Sequence, residues 1–460
     1  MNNQNMKTST TTTTNRHVVA IPYPGRGHVN PMLNLCKLIL SKTTDIFITF
    51  IVTEEWLGFL TSELHHPLPA NFRFAALPQV IPSEIGRGAD FPGFVEAVLT
   101  KLQHPFEQLL DQLEMSPTII IYDMVLSWVV GVGNQRNIHV AALVTFSAAF
   151  LTVISHFDLL VRHGHFPLDV SERGKEVVDY IPGLPSTTIA DFPTFFHGDG
   201  RKTLPRFLEA ISSLNNAQYI LSTTIYEFED QVINCLTTKF RIPIYHIGPM
   251  IPYLDFANNN QYYFQWLDSQ PKSSVLYISQ GSFLSTSNDQ IHEIIAGIKE
   301  SNVRFLWVTR GDNSRFKDGG NISEQFGLLV PWCDQLKVLC HPSIGGFWTH
   351  CGWNSTSEGI YAGVPMLTCP LFWDQMLNSK MIVNDLKIGW RAITNDTGEL
   401  VTREEITKLV RKFMDPENGE RKEMVRRSKE LRDTFVKAIE DGGSASSSIG
   451  NFINDILPKH

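Results

Sequence analysis

Hydrophobic residues along the chain alternate between short continuous runs and stretches in which they recur at helical spacing. The first run, residues 17–21, leads into a turn rich in proline and glycine at residues 22–28. Helical spacing then follows at Met32, Leu35, Cys36 and Ile39. Further β-branched and aromatic runs predict strands at residues 46–52, 72–77, 118–122, 140–144 and 218–223. Continuous apolar strands separated by helices indicate a parallel sheet that is covered on both faces.

The same alternation starts again in the second half, after a segment at 248–260 with the composition of a linker. Ser287 and Gln290 match a capping box in front of an apolar helix. Strands are predicted at residues 275–279, 304–309, 328–330, 346–349 and 366–369. The sequence therefore predicts an α/β protein with two Rossmann-like, doubly wound parallel-sheet domains facing each other across a cleft.

These patterns divide the chain into five segments. The Ser/Thr-rich start is expected to be a disordered leader, and the end carries a charged helix at 420–437 followed by an amphipathic piece. The predicted segments are a leader at 1–16, an N-terminal domain at 17–246, a linker at 247–263, a C-terminal domain at 264–440 and a tail helix at 441–460.

Composition narrows the class of protein. Of the 460 residues 43% are hydrophobic and 19% charged, which is ordinary for globular proteins and excludes disorder. The net charge of −8 argues against nucleic acid or anionic membranes as partners, and no apolar stretch is long enough for an integral membrane segment. Six cysteines without CxxC spacing are expected to be reduced, in the cytoplasm, and no metal site is predicted. Aromatic residues, at 11%, suit a pocket for a flat apolar molecule.

Two polar residues of the first half stand where ligands bind in open α/β sheets, beyond the carboxyl ends of strands. His28 is expected in the loop after the first strand, and Asp123 follows the strand at 118–122. A carboxylate behind a histidine fixes its tautomer and stabilises the imidazolium, so the pair could act as a general base. The alternative for a single loop histidine is an exposed or structural role.

The second half has a denser cluster. A strand ending at His350 is followed by a helix start that contains Gly352, Asn354 and Ser355, with Glu358 one turn later. Free backbone N–H groups and the helix dipole make such a start a phosphate site, and a carboxylate can take a ribose diol. The alternative is that Asn354 or Ser355 only caps the helix.

Several nucleotide motifs are absent from the sequence. No GxGxxG follows the first strand, which argues against a dinucleotide enzyme, and no GxxxxGK[ST] indicates a P-loop. No Asp-x-Asp pair occurs either. Such pairs commonly hold a diphosphate through a metal, so a metal-free mechanism is favoured.

Residues 332–375 closely resemble the donor-binding signature of plant family-1 UDP-sugar glycosyltransferases, which have the two-domain GT-B fold. The resemblance extends over nearly the whole chain. Matching segments are the histidine loop at 21–31, the aspartate loop at 121–123, the strand and loop at 275–282 and the tail at 443–457. It implies an acceptor-binding N-terminal domain and a UDP-sugar-binding C-terminal domain.

The resemblance also implies roles for individual residues. His28 and Asp123 would be catalytic, Trp332 would stack on uracil and the Cys333 backbone would pair with the base edge. The other donor contacts implied are Gln335 and Glu358 to ribose, His350, Gly352, Asn354, Ser355 and Ser282 to the diphosphate, and Trp353, Asp374 and Gln375 to the sugar. No cofactor and no metal are expected.

The acceptor side is less defined. The family often has Phe where Gln280 stands and Trp where Val144 precedes Thr145, and the segment before Trp332 is short. The expected pocket residues, each of which could equally be core, are Thr145, Trp128, Phe146, Phe150, Phe157 and Phe195.

The function expected from these features is inverting transfer of glucose from UDP-glucose to a hydroxyl of a small lipophilic plant metabolite: a flavonoid, phenolic, terpenoid or hormone. The protein would be a monomer. Alternatives are another UDP-sugar, attack from an acceptor carbon to form a C-glycoside, or, from a different class, an inactive UDP-sugar-binding protein. A Rossmann oxidoreductase is disfavoured by the missing glycine fingerprint.

Overall fold

The computed structural model describes residues 16–62, 67–254, 261–281, 287–309, 326–392 and 400–457. Its main feature is a pair of parallel sheets, one in each half of the chain, which confirms the predicted fold class. Within these residues no helix has the length and apolar character needed to span a bilayer.

The first sheet has seven parallel strands in the order β3-β2-β1-β4-β5-β8-β9, and β6 and β7 form a small antiparallel pair outside it. These strands are β1 (Arg16–Ile21), β2 (Ile46–Thr53), β3 (Phe72–Leu77), β4 (Ile119–Asp123), β5 (His139–Val144), β6 (Val177–Val178), β7 (Thr187–Thr188), β8 (Tyr219–Ser222) and β9 (Ile244–His246).

Helices cover both faces of this sheet, and a separate apolar cluster lies on each face. The helices are α1 (Arg26–Lys42), α2 (Glu54–Ser62), α3 (Phe91–Lys101), α4 (Gln103–Asp111), α5 (Trp128–Gln135), α6 (Ala148–Ser155), α7 (Phe157–Arg162), α8 (Val170–Arg173), α9 (Leu204–Leu214) and α10 (Tyr226–Lys239). Short 3-10 turns lie at Ile189–Asp191, Thr194–Phe196 and Gly198–Lys202.

The second sheet repeats the central arrangement with six parallel strands, in the order β12-β11-β10-β13-β14-β15. The strands are β10 (Val275–Ser279), β11 (Arg304–Val308), β12 (Gly327–Val330), β13 (Ile344–Thr349), β14 (Met366–Thr368) and β15 (Gly389–Arg391). The helices are α11 (Tyr262–Asp268), α12 (Asn288–Ser301), α13 (Gln335–Leu339), α14 (Trp353–Ala362), α15 (Gln375–Lys380), a π-helical turn at Met381–Asp385, α16 (Arg403–Met414), α17 (Gly419–Ile439) and α18 (Ser444–Ile456).

The last helix, α18, packs on the first domain. Its apolar stripe of Ile449, Phe452, Ile453 and Ile456 is buried in the same cluster as Leu35 of α1. Lys42 of α1 also donates a hydrogen bond from Nζ to Ser446 Oγ at 3.1 Å. The end of the chain therefore ties the second domain back to the first.

Some local predictions need correction. The strands β9 and β15 were not predicted, because their sequences, Ile-Tyr-His and Gly-Trp-Arg, contain no continuous apolar run. The capping box is only half formed: Ser287 Oγ accepts from Gln290 N at 3.3 Å, but the Gln290 side chain bonds both backbone groups of Val401. Helix α11 begins at Tyr262, inside the predicted linker, while residues 1–15 and 255–260 lie outside the described residues.

Candidate active site

The central strands of each sheet end at the same edge, where the strand order changes direction. In the first sheet β1 pairs with both β2 and β4, and Ile21 is in register with Tyr122, directly before Asp123. In the second sheet Ser279 of β10 is in register with Thr349, directly before His350. Such switch points are where open α/β sheets bind ligands. The residues predicted to carry the chemistry of each half therefore lie at these two edges.

His28 and Asp123 meet at the first edge. His28 Nδ1 lies 2.7 Å from Asp123 Oδ2, and the Asp123 carboxylate is fully buried. The other oxygen, Oδ1, accepts from Val125 N at 3.1 Å. Because an ionised carboxylate only accepts, Nδ1 carries the proton and Nε2 has a free lone pair. His28 lies in the first turn of α1 and not, as expected, in a loop, since the helix begins at Arg26.

Thr145 is the nearest of the expected acceptor residues to the histidine. Its Oγ1 lies 3.0 Å from His28 Nδ1, the same nitrogen that contacts Asp123. Thr145 directly follows β5, which pairs with β4. A residue after β5 was not expected to touch the base itself, and the sequence carries no local signal for this contact.

Three of the expected aromatic residues form a chain that ends at the histidine. Phe146 and the His28 ring lie edge-to-face, with centroids 5.7 Å apart, and Phe146 packs on Phe150 at 4.7 Å. Phe150 in turn contacts Phe195 at 5.8 Å. Trp128 packs on Phe106 instead, and Phe157 on Phe166 and Phe196. All three members of the chain are buried.

His350 occupies the second edge between two glycines. A Cβ at Gly281 would lie 2.6 Å from His350 Nε2, and one at Gly352 would lie 2.5 Å from the same atom. Gly281 also has a φ of +75°, which an L side chain rarely adopts. The imidazole therefore depends on glycine at both positions. Ser282, expected beside it, lies outside the described residues.

The start of α14 presents backbone N–H groups with no capping side chain. Gly352 is the N-cap residue, so the alternative that Asn354 or Ser355 caps this helix is wrong. Asn354 Nδ2 donates to Gly27 O of the first domain at 2.9 Å. Uncapped N–H groups and the positive end of the helix dipole suit an anion. Asn354 also joins this start to the turn that carries His28.

The expected ribose side chains form a partly buried hydrogen-bond network. Gln335 Nε2 donates to Glu358 Oε2 at 2.5 Å and to Ser355 Oγ at 2.9 Å. Tyr277 OH donates to Gln335 Oε1 at 3.1 Å and contacts Cys333 Sγ at 3.3 Å. Burial raises the pKa of Glu358 to about 7, against a smaller lowering by the Gln335 bond. Ser355 therefore faces Gln335, and Tyr277, which sequence reasoning missed, orients the amide.

Trp332 and Trp353 differ in exposure. Trp332 is 50% exposed, so a ring face is available for stacking. Trp353 is 6% exposed, and its indole Nε1 donates to Thr223 O at 3.0 Å, across to the first domain. The predicted sugar contact of Trp353 stays a prediction, and its observed contact links the two domains.

Asp374 and Gln375 lie at the start of α15. Burial raises the pKa of Asp374 to about 6, and its Oδ2 accepts from Asn378 Nδ2 at 2.7 Å. Gln375 Oε1 accepts from the backbone N–H groups of Leu371 at 2.8 Å and Phe372 at 3.2 Å. Both lone pairs of that oxygen are engaged, so only the amide nitrogen remains for a sugar.

Gln280 is buried directly after β10, beside Gly281. Across the described ranges, no group of three or more His, Cys, Asp or Glu side chains is arranged to hold a metal ion.

Comparisons with known proteins agree on one family. Residues 257–439 match the family model described as UDP-glucoronosyl and UDP-glucosyl transferase. UDP-glycosyltransferase 87A2 of Arabidopsis thaliana is 49% identical over 447 residues, which cover 96% of this chain and 97% of that protein. UDP-glycosyltransferase 87A1 of the same plant is 49% identical over 442 residues, covering 95% and 99%.

A solved structure shows the same architecture. The structure of Phytolacca americana UGT2 with UDP-2fluoro-glucose and pterostilbene matches with a TM-score of 0.79 and 27% identity, covering 96% of this chain and 99% of that one. The chain belongs to the UDP-glycosyltransferase family and has the GT-B fold of the plant enzymes.

Proposed function

We propose that this protein transfers glucose from UDP-glucose to a hydroxyl of a small lipophilic acceptor, with inversion at the anomeric carbon. The observation that carries the proposal is the 2.7 Å contact between His28 Nδ1 and the buried carboxylate of Asp123. It leaves Nε2 as the basic nitrogen, at the carboxyl edge of the first sheet.

In the proposed reaction the acceptor O–H gives its proton to His28 Nε2 as its oxygen attacks the anomeric carbon. The new C–O bond forms on the face opposite the diphosphate, and the old bond breaks with its electron pair passing to UDP. Asp123 stabilises the imidazolium that results. In-line attack on the opposite face inverts the anomeric centre.

We further propose that no metal or cofactor takes part. The leaving diphosphate would be stabilised by the uncapped N–H groups of α14 and by His350, which lies against Gly281 and Gly352. These groups are fixed before the reaction, so they need not reorganise as charge develops on the leaving oxygen. Activity in excess chelator supports this step, and loss of activity that manganese or magnesium restores would contradict it.

Two observations support glucose as the transferred sugar. The structure of Phytolacca americana UGT2 contains a glucose donor analogue, and Gln375 ends a signature in which glutamine tends to accompany glucose. The lipophilic acceptor is proposed because Phe146, Phe150 and Phe195 form an apolar chain next to His28. The full chain, incubated with UDP-glucose and a mixed acceptor library, should give products heavier by one hexose.

The configuration of those products tests inversion. The donor has an α-linkage, so a β-glucoside, read from the anomeric proton coupling, is expected. An α-glucoside would overturn the in-line mechanism, and a product that resists acid hydrolysis would indicate C-glycosylation. UDP binding without transfer to any acceptor would favour the alternative of an inactive UDP-sugar-binding protein.

A further inference from the structure

Trp373, in the segment before α15, has an unusual backbone conformation. Its φ is +59°, in the left-handed region that bulky residues avoid. It directly precedes Asp374 and Gln375, the two side chains expected at the sugar. A large aromatic residue persists at such a position only when its surroundings hold it there.

Those surroundings belong to the other domain. Trp373 N donates to Thr194 Oγ1 at 2.7 Å, and Thr194 N donates to Trp373 O at 3.3 Å. One threonine of the acceptor-binding domain therefore bonds both backbone groups of the tryptophan. Because Thr194 opens a short 3-10 turn, Thr194–Phe196, the bond is made by a defined element of the fold.

The indole also points into the first domain. It stacks on Phe195 with centroids 5.1 Å apart and lies edge-on to Phe91 at 4.9 Å and Phe207 at 5.5 Å. Phe195 is the far end of the aromatic chain that reaches His28 through Phe150 and Phe146. Continuous ring packing thus joins the segment before Asp374 to the histidine.

A second, independent bond joins the same two surfaces. Ser147, the N-cap of α6, donates from Oγ to Asn378 Oδ1 at 3.3 Å. Asn378 Nδ2 donates in turn to Asp374 Oδ2 at 2.7 Å. Ser147 directly follows Phe146, so the hydrogen-bond route and the aromatic route both start beside the base. The hydrogen-bond route ends at the Asp374 carboxylate, and the aromatic route ends at Trp373, the residue before it.

We propose that Trp373 is a positioning residue, held by Thr194 and the Phe195 cluster, that sets the placement of the donor sugar relative to His28. Trp373 is partly buried and packs on Phe195, a residue expected on the acceptor side, so its removal should also alter acceptor binding. This inference rests on the proposed function.

A misplaced sugar should raise hydrolysis of the donor relative to transfer, whereas loss of stability should not. When the acceptor oxygen no longer meets the anomeric carbon, water can take its place, and UDP-glucose is hydrolysed. A shift of about 1 Å can lower transfer on the order of 100-fold. Partial unfolding would lower hydrolysis and transfer by the same factor, so their ratio separates the two causes.

The test measures UDP-glucose hydrolysis and transfer to an acceptor that the wild-type chain uses. Trp373→Asn keeps a residue that tolerates positive φ and removes the indole. Thr194→Val removes the hydroxyl and keeps the shape, whereas Thr194→Ser keeps the hydroxyl. Phe228→Leu is a control for lost aromatic packing, since Phe228 stacks on Phe435 in another cluster.

Trp373→Asn and Thr194→Val should raise the ratio of hydrolysis to transfer about 10-fold or more. The Michaelis constant for the acceptor should change and the affinity for UDP should not. Thr194→Ser and Phe228→Leu should keep the wild-type ratio, and if Trp373→Asn does not fold, the Thr194 pair decides. If Trp373→Asn and Thr194→Val keep the wild-type ratio of hydrolysis to transfer while the wild-type chain transfers glucose, the inference is wrong and the proposed function stands. A wild-type chain that transfers no sugar removes the proposed function and the inference with it.

Discussion

The two sheet edges that carry the candidate site have the same topology and different chemistry. The first edge consists of side chains: the Asp123 carboxylate and the Thr145 hydroxyl both lie within 3.0 Å of His28 Nδ1. The second edge consists largely of backbone: the uncapped start of α14 and two glycines that leave room for His350. One edge is suited to moving a proton and the other to holding an anion.

The difference shows what each half of a two-substrate site requires. A general base needs a defined tautomer, which a buried carboxylate supplies. A diphosphate needs several N–H donors and close approach of the backbone, which a helix start and glycines supply. Substitutions at the two edges should therefore affect different steps, and the following predictions test that separation.

The largest effect is expected at the first edge. In Asp123→Asn the amide nitrogen can donate to His28 Nδ1, so Nε2 would carry the proton and lose its basicity. Transfer to a phenolic acceptor by Asp123→Asn should fall on the order of 10²- to 10⁴-fold, and His28→Ala should show a loss of the same size. UDP affinity, measured by calorimetry, should stay unchanged, and Asp111→Asn at an exposed helix end is the control. Near-normal turnover in His28→Ala would remove the assignment of the base.

The second edge should respond in donor affinity. Gly352→Ala has an ordinary backbone, with φ at −60°, but its Cβ would lie 2.5 Å from His350 Nε2. Forcing the imidazole aside should cost about 1–3 kcal/mol of UDP binding, or roughly 5- to 150-fold. Gly131→Ala in α5 is the matched control, because nothing lies within 4 Å of its added Cβ. Equal UDP affinity in both variants would contradict the assigned role of this edge.

Both edges could be found from the sequence because each depends on local pattern. The apolar runs before His28, Asp123 and His350 predict strands, and residues at the carboxyl ends of parallel strands converge whatever the rest of the chain does. The resemblance in residues 332–375 added the donor side chains, and the comparisons confirm the family.

The contacts between the edges could not be found in this way. Asn354 bonds Gly27, Trp353 bonds Thr223, and Trp373 bonds Thr194, in each case across the domain boundary. Such pairs are set by how two domains dock, and neither helical nor strand periodicity reports on docking. The engaged oxygen of Gln375 was missed for a related reason, since it depends on the path of the backbone at Leu371 and Phe372.

Sugar choice is a smaller effect at the second edge. With its oxygen engaged, Gln375 can contribute only an amide donor, so inverting one sugar hydroxyl would lose about one neutral hydrogen bond. That is about 1 kcal/mol, or roughly 5-fold, in favour of UDP-glucose. Competition between equal concentrations of UDP-glucose and UDP-galactose measures it. Gln375→Glu, which keeps the backbone contacts of one oxygen and replaces the donor by an acceptor, should change the preference. Equal or faster galactose transfer by the wild-type chain would show that Gln375 does not select glucose.

The last effect is on the stability of the second edge itself, and not on donor binding or transfer. Burial raises the pKa of Glu358 from its ordinary 4.5 to about 7. Between those values the folded chain holds a proton that the unfolded chain releases, so this contribution to the free energy of unfolding is complete below pH 4.5 and is lost as pH rises through 7. An amide does not titrate in this range, so the variant Glu358→Gln should gain stability relative to wild type as the pH is raised from about 5 to about 8. The gain should be on the order of 2–3 kcal/mol, seen as a shift of a few degrees in Tm. A difference in Tm that is the same at both pH values would mean that the carboxyl is already charged in the folded protein at about pH 5, and that Gln335 and its neighbours stabilise the anion at least as much as burial opposes it.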